Sequence, residues 1–349
     1  MTLFGGYSYL SLHKHPYIEQ KVTEATKMYG SGGHGARTLS GSTNLHETLE
    51  RKIATFKSAE DAVTFSSGYI CNISTIAALV GRGDTILTDH LNHGSIVDGC
   101  MLSGAKVRIF RHNDMTHLEE MLQADNTGNV LVIADGVFSM NGDIFNLPVA
   151  SELCKKYGAL LMIDECHSVG MIGKTGRGIE EHFGLSTDSV DVKMGTLSKA
   201  IPSQGGYVAG TKAIVDFLRH NTRGRLMSGA NTPANIAAAI ASLELMEQEP
   251  ERVTRLHHNT RYTKFKLKEA AIETLPSEAA IIPIWVGDKW KALEMTKYCI
   301  QQGIYLQAVH FPIVPKNKAI LRLSINTDHT KEQIDRMVEI VKAAKWEVA

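Results

Sequence analysis

The sequence has few cysteines, and none is arranged for a structural task. Five of its 349 residues are cysteine (Cys71, Cys100, Cys154, Cys166 and Cys299), with no CxxC pair among them. A scattered, odd set argues against a disulfide frame and for reduced thiols in a cytoplasmic protein. An excess of charge is missing as well: Lys plus Arg and Asp plus Glu both number 37, so the formal net charge is zero. A dedicated nucleic-acid binder carries a basic surplus, and that class is set aside. No apolar run in the sequence approaches the roughly 20 residues of a membrane span. The opening "MTLFGGYSYL" lacks a basic stretch followed by an apolar core, so no secretory signal is expected there. Histidines number 15, yet none stands in HExxH spacing, and GxxxxGK[ST] is absent too. Neither a zinc peptidase nor a Walker nucleotide site is expected.

What is present is ordinary globular composition, 43% hydrophobic and 21% charged, over a length that allows two packed units. Residues 30–46, "GSGGHGARTLSGSTNLH", read as a loop, with Thr43 or Asn44 capping the helix that follows. From there short strands ("AVTF", "TILTD", "KVRIF", "VLVIADG", "ALLMIDE") alternate with helical stretches such as "MTHLEEMLQ" and "PVASELCKKYG". That alternation predicts an α/β fold with a mainly parallel sheet and helices on both faces. After about residue 230 two long helical stretches precede three strand-like runs, "AIIPIWV", "IYLQAV" and "AILRLSI", and a last helix ends the chain. The expected organisation is an N-terminal segment and glycine-rich loop (1–45), a large domain (46–230) and a smaller α+β domain (231–349).

In open α/β sheets ligands bind at the carboxyl ends of the strands. The residues following the strands form a crowded polar set. They include Ser67, Gly68 and Tyr69; Asp89, Asn92 and His93; Asp135 and Ser139; Asp164 and His167; and Thr196, Ser198 and Lys199. "SSGYICN" is a glycine turn leading into a helix, which suits a phosphate and equally suits a plain helix cap. Asp164 and His167 stand three apart in "DECHSVG". They read as a pair facing one ligand, as a capping Asp beside an incidental His, or as metal ligands, though no further ligand cluster supports a metal. Lys199, between small hydroxyl residues in "GTLSKAIPSQGG", is either a surface lysine or an amine that forms an imine with an aldehyde. Together a helix-borne phosphate site, an acid, an imidazole and an imine-forming lysine are the parts of a pyridoxal 5'-phosphate (PLP) site.

Seven motifs in order, "SSGY..N", "LNHGSIVDG", "FRHND", "DGVFSMNGD", "IDECHSVGMIG..GRG", "GTLSKA....GGY" and "FPIVP......LRLS", cover nearly the whole chain. In this order the chain resembles the α-oxoamine synthases, fold-type I PLP enzymes. The resemblance implies a seven-stranded-type sheet and a set of roles. Lys199 matches the lysine that holds the cofactor and moves the Cα proton. Asp164 matches the acid paired with the ring nitrogen, His93 the imidazole stacked on the ring, and His167 the one near the ring phenol oxygen. Ser67, Gly68 and Tyr69 match the phosphate turn, Thr196 and Ser198 add hydroxyls, and Asn72, Asp135 and Ser139 fall within cofactor-binding motifs. Arg322 matches the arginine that grips the amino-acid carboxylate.

The implied reaction is C-acyl transfer: an α-amino acid condenses with an acyl thioester, from CoA or an acyl carrier protein, usually losing CO2 to give an α-amino ketone. The alternatives are an aminotransferase or lyase of the same fold and, within the family, a glycine-specific activity like that of aminolevulinate synthase or glycine C-acetyltransferase; a cofactor-free scaffold is a further reading that the Lys199, Asp164 and His93 set opposes. Substrate choice is expected to involve Tyr7, at a position where many members have Asn, and Ala36, where aminolevulinate synthase has Thr. Both differences lean away from glycine. Family members are homodimers, and the loop at 30–41 is expected to face the partner's site. The chain starts late relative to the family, roughly where the conserved region begins, and the expectation is a domain cut from a larger protein.

Overall fold

The structure is a computed structural model that describes residues 1–124 and 126–347. A short strand β1 (Thr2–Leu3) opens the chain, followed by helix α1 (Pro16–Tyr29) and helix α2 (Asn44–Phe56). Thr43 is the N-cap of α2, and its N–H donates to His46 Nδ1 at 3.2 Å. The expected alternation follows: β2 (Asp61–Phe65), α3 (Gly68–Leu79), β3 (Thr85–Asp89), α4 (Gly94–Ser103), β4 (Lys106–Phe110), α5 (Met115–Gln123), β5 (Val130–Asp135), α6 (Leu147–Tyr157) and β6 (Leu160–Asp164). Local chemistry sets these boundaries. Asp114 caps α5 by accepting from His117 N at 2.9 Å. Gly104 and Gly158 end α4 and α6 at φ +74° and +65°, the left-handed region open to glycine. Beyond β6 come α7 (Ile179–Phe183), β7 (Val192–Thr196), β8 (Gly206–Gly210), α8 (Lys212–Asn221), α9 (Arg223–Leu226) and α10 (Pro233–Gln248).

These strands form one seven-stranded sheet in the order β2-β8-β7-β6-β5-β3-β4. β3, β4, β5, β6 and β7 run parallel, and β8 is antiparallel to both of its neighbours. One face packs Val63, Ile86, Leu131, Ile133, Met162 and Met194 against helix residues such as Ile76, Ile96 and Leu218. Val132, Leu161 and Ile163, which alternate with the first set along their strands, are just as buried. A sheet covered on both faces reads in sequence as continuous apolar runs. The chain order reverses between β3 and β5, the kind of switch point where α/β sheets open a crevice.

The rest of the chain comprises α11 (Glu251–Glu269), β9 (Ile281–Gly287), α12 (Lys289–Gln301), β10 (Ile304–Tyr305), β11 (Gln307–Val309), β12 (Ala319–Ser324) and α13 (Lys331–Glu347). β11, β12 and β9 make an antiparallel sheet, and β1 pairs in parallel with β10. Pro283 is tolerated in β9 because β9 is an edge strand. The run "IYLQAV" splits at Leu306, since β10 and β11 take partners in different sheets.

Contacts divide the chain into a larger unit, Leu12–Val137 with Phe145–Pro250, and a smaller one, Met1–Ser11 with Phe138–Ile144 and Glu251 onward. Both boundaries differ from the sequence expectation of 1–45, 46–230 and 231–349. α10 belongs to the larger unit because it packs on α1 and α2. Residues 1–11 belong to the smaller one because β1 pairs with β10 and Phe4 O accepts from Ser324 N at 2.6 Å.

Candidate active site

Five strand ends, those of β2, β3, β5, β6 and β7, converge on one cavity of about 250 Å3 in the larger unit. The turn after β3 is held by Asn92. Its amide donates to Thr88 Oγ1 at 2.8 Å and Ile133 O at 2.9 Å, and its carbonyl accepts Asp135 N at 2.8 Å. The next residue, His93, caps α4: its Nδ1 accepts from Ser95 N at 3.2 Å and lies 2.8 Å from Ser95 Oγ. An acceptor at Nδ1 leaves the ring proton on Nε2. The protein mass crowding the ring pushes the His93 pKa below its ordinary value; Lys199 adds to this and Asp164 opposes it.

Asp164, at the end of β6, has both carboxylate oxygens already oriented. Oδ2 accepts from Asn72 Nδ2 at 2.7 Å and Oδ1 from Cys166 N at 2.8 Å. Asn72 also donates to Ser95 Oγ at 2.9 Å, so one amide ties the Asp164 carboxylate to the Ser95–His93 pair. His167, in the turn that follows, is buried and lines the same cavity.

The other end of the cavity is built for an anion. Ser67 caps α3 by accepting from Ile70 N at 3.1 Å, which aims the helix N-terminus into the cavity. Close backbone approach requires glycine here: a Cβ on Gly206 would lie 2.7 Å from Ser67 O and 2.9 Å from Gly68 Cα. Thr196 Oγ1 lies 2.8 Å from Ser198 Oγ, adding two hydroxyls beside the turn. Lys199 follows them, half-buried, and lines the cavity. An oriented carboxylate and an imidazole at one end, a helix N-terminus with hydroxyls at the other and a lysine alongside fit PLP.

Of the residues singled out in the sequence, Ser67, Gly68, Tyr69, Asn72, His93, Asp135, Asp164, His167, Thr196, Ser198 and Lys199 all line this cavity. Ser95, Val137 and Cys166 line it too and were not anticipated. Ser95 had a signal, since a residue two positions after a capping side chain is a natural partner for it. Asp89, from the same set of strand ends, serves loops instead: it accepts from Leu91 N and Asn113 N, both at 2.8 Å. Ala36 lies in the loop that bridges to Gly229. Ser139, Tyr7 and Arg322 belong to the smaller unit. There Arg322 is 2% exposed; its Nε donates to Ser139 O and its Nη1 to Ser324 Oγ, both at 2.7 Å, while Nη2 has no hydrogen-bond partner among the described residues. Its guanidinium stands 5.6 Å from the Tyr7 ring centre.

Residues 1–341 match the family described as aminotransferase class I and II. The chain is 45% identical over 331 residues to the 8-amino-7-oxononanoate synthase of Symbiobacterium thermophilum, covering 94% of this chain and 84% of that one. It is 41% identical over 347 residues to the serine palmitoyltransferase of Bacteroides thetaiotaomicron, covering 99% and 88%. Among solved structures, a serine palmitoyltransferase of S. paucimobilis with a bound PLP–myriocin aldimine superposes with a TM-score of 0.95 at 31% identity, covering 99% and 87%. The chain belongs to the aminotransferase class I and II family and, within it, to the α-oxoamine synthases, PLP-dependent acyltransferases of the fold-type I architecture.

Proposed function

We propose that the protein joins an α-amino acid to an acyl thioester at PLP held on Lys199, acting as a homodimer. The observation that carries the reading is the Asp164 carboxylate, fixed by two donors at one end of the cavity that Lys199 and the α3 N-terminus also line. Bound there, PLP supplies an aldehyde that condenses with amines and a ring that takes up the electron pair left when a bond to Cα breaks. Asp164 holds the proton on the ring nitrogen. His93 and His167, which line the same cavity, would hold the ring, His93 by packing and His167 by hydrogen bonding. The α3 N-terminus with Ser67, Thr196 and Ser198 binds the phosphate. Lys199 Nζ carries the cofactor and takes the Cα proton of the amino acid. We assign the amino-acid carboxylate to Arg322, whose Nη2 has no hydrogen-bond partner among the described residues while Nε and Nη1 are fixed. The homodimer is supported by Leu39 and Met227, 83% and 82% exposed on two loops that are bridged through Ala36 and Gly229.

The test compares the purified protein with Lys199→Ala after PLP is added. The parent is expected to absorb in the visible region, sediment as a dimer and release CoA or carrier thiol when given amino acid and acyl thioester. The variant is expected to keep its fold and lose turnover by at least about 1000-fold. A parent that stays colourless with PLP, or a variant with normal turnover, overturns the reading; a monomer in sedimentation overturns the dimer alone.

A further inference from the structure

Two neighbouring strands end in carboxylates at the same rung. Asp135 closes β5 and Asp164 closes β6, and the two are register partners in a parallel pair, about 4.8 Å apart across the backbone. Both side chains line the cavity. Their surroundings are opposite in kind. Asp164 receives a donor on each oxygen, from Asn72 and from the Cys166 N–H. Asp135 is 4% exposed, accepts the backbone N–H of His93, and has no donor at Oδ1 among the described residues.

We propose that Asp135 is a positioning residue that works as an uncharged acid: it holds the main chain at His93, and through it the imidazole, while leaving Asp164 as the one ionised carboxylate for the cofactor ring nitrogen. The proposal rests on the PLP reading above. An anionic oxygen without a donor is costly to bury, and a neutral carboxyl is much less so. Charges facing Asp135 come from three elements: Asp164 on β6 and Asp89 at the end of β3 repel a second negative charge, and Lys199 after β7 attracts one. Burial is the largest influence, and the balance pushes the Asp135 carboxyl well above the usual carboxylate range. Repulsion between two carboxylates at one rung is relieved by protonating one, and the donor pattern selects which. Acceptance of the His93 N–H needs only a carbonyl oxygen, which the neutral acid retains. With one carboxylate ionised, the ring-nitrogen proton has a single partner and a single position.

Asp135→Asn keeps the carbonyl acceptor and removes no charge under this proposal. Asp135→Leu keeps the bulk and removes the acceptor. The experiment titrates the visible absorption of the lysine-bound cofactor with pH in the holoenzyme, and measures PLP dissociation by equilibrium dialysis. Asp135→Asn is expected to leave the absorption midpoint within about 0.3 pH units of the parent and PLP affinity within about threefold. Asp135→Leu, checked for folding by circular dichroism, is expected to weaken PLP binding about tenfold or more. If Asp135 were ionised, Asp135→Asn would remove a nearby negative charge and lower the midpoint by about one unit or more, which overturns the uncharged acid. Equal PLP affinity in Asp135→Leu and the parent overturns the positioning role. Should Asp135→Leu not fold, a tenfold loss of PLP affinity in Asp135→Asn serves as the overturning result. A parent that never acquires visible absorption overturns the PLP reading itself, and is told apart from the other outcomes because no variant is involved.

Discussion

Arg322 holds its guanidinium by two corners, and the third has no hydrogen-bond partner among the described residues. Ser139 O takes Nε and Ser324 Oγ takes Nη1, so the plane of the group is set before any substrate arrives. A planar fork fixed in this way suits a carboxylate, and an ammonium on a flexible stem does not reproduce it. Arg322→Lys is therefore expected to weaken amino-acid binding by about tenfold or more while changing PLP affinity by less than about twofold. Spectral titration with amino acid and dialysis with PLP separate the two, and equal losses in both would contradict the assignment. At this scale the sequence exposes a great deal, because a polar residue placed just after an apolar strand has few places to point. Lys199, Asp164 and His93 stand out for that reason. Asn72 is legible only through family resemblance: it sits inside α3, and its meaning lies in contacts to Ser95, 23 positions away, and Asp164, 92 positions away. Asp89 shows the converse, a strand-end acid whose acceptors are taken up by backbone N–H groups and the His112 ring.

Among the elements, the glycine-rich turn after β6 is held by charges that composition does not reveal. Glu165 and Lys57 form a 2.6 Å ion pair with side chains 1% and 2% exposed. Glu165 Oε2 accepts Ile179 N at 2.8 Å, and Lys57 donates to Arg177 O. Gly178, at φ +104°, lies so close that a Cβ there would overlap the Glu165 carboxylate. The turn therefore wraps a buried charge, next in sequence to Asp164. Lys57→Met leaves that carboxylate buried without its cation and is expected to cost about 3–5 kcal/mol of stability. Pairing it with Glu165→Gln is expected to recover part of the loss, as read by urea denaturation; a single variant as stable as the parent would rule out a structural role for the pair. Strands with branched apolar residues were legible, as was helix α5, which matches its sequence pattern from Met115 to Gln123. β8, "GYVAG", was not, because Gly206 is required by close approach to α3 rather than by strand preference. α1 also lacks a clear pattern, since it buries only Ile18 and Ala25.

For the molecule as a whole, the formal net charge is zero at pH 7 with its histidines neutral, and acid adds charge to both the folded and the unfolded chain; a difference between the two states comes from buried groups whose pKa is shifted by folding. Two buried histidines are the main candidates. In the smaller unit, His329 is 6% exposed, stacks on Phe4 with ring centres 3.9 Å apart, accepts Asn326 N at Nδ1 and donates from Nε2 to Leu3 O at 2.9 Å. This binds the N-terminal segment, whose membership in that unit the sequence pattern does not announce because the contacts span more than 300 positions. Burial pushes the His329 pKa down to about 4, against an unperturbed value of 6.5, with the Leu3 carbonyl and Asp328 opposing. In the larger unit burial, reinforced by Arg37, likewise brings His46 to about 4. Between those limits the unfolded chain binds protons that the folded chain refuses. Stability is therefore fully present above about pH 6.5 and is lost as pH falls toward 4, at up to about 1.4 kcal/mol per pH unit for each histidine. The melting temperature is expected to hold between pH 7 and 8 and to fall by several degrees between pH 7 and 5. His329→Gln removes one of the two groups, so its melting temperature, whatever its value at pH 7, is expected to fall less steeply over the same interval. Parallel slopes in the parent and the variant would show that His329 is already able to take up a proton in the folded state, and that the N-terminal segment is held by contacts other than the neutral imidazole.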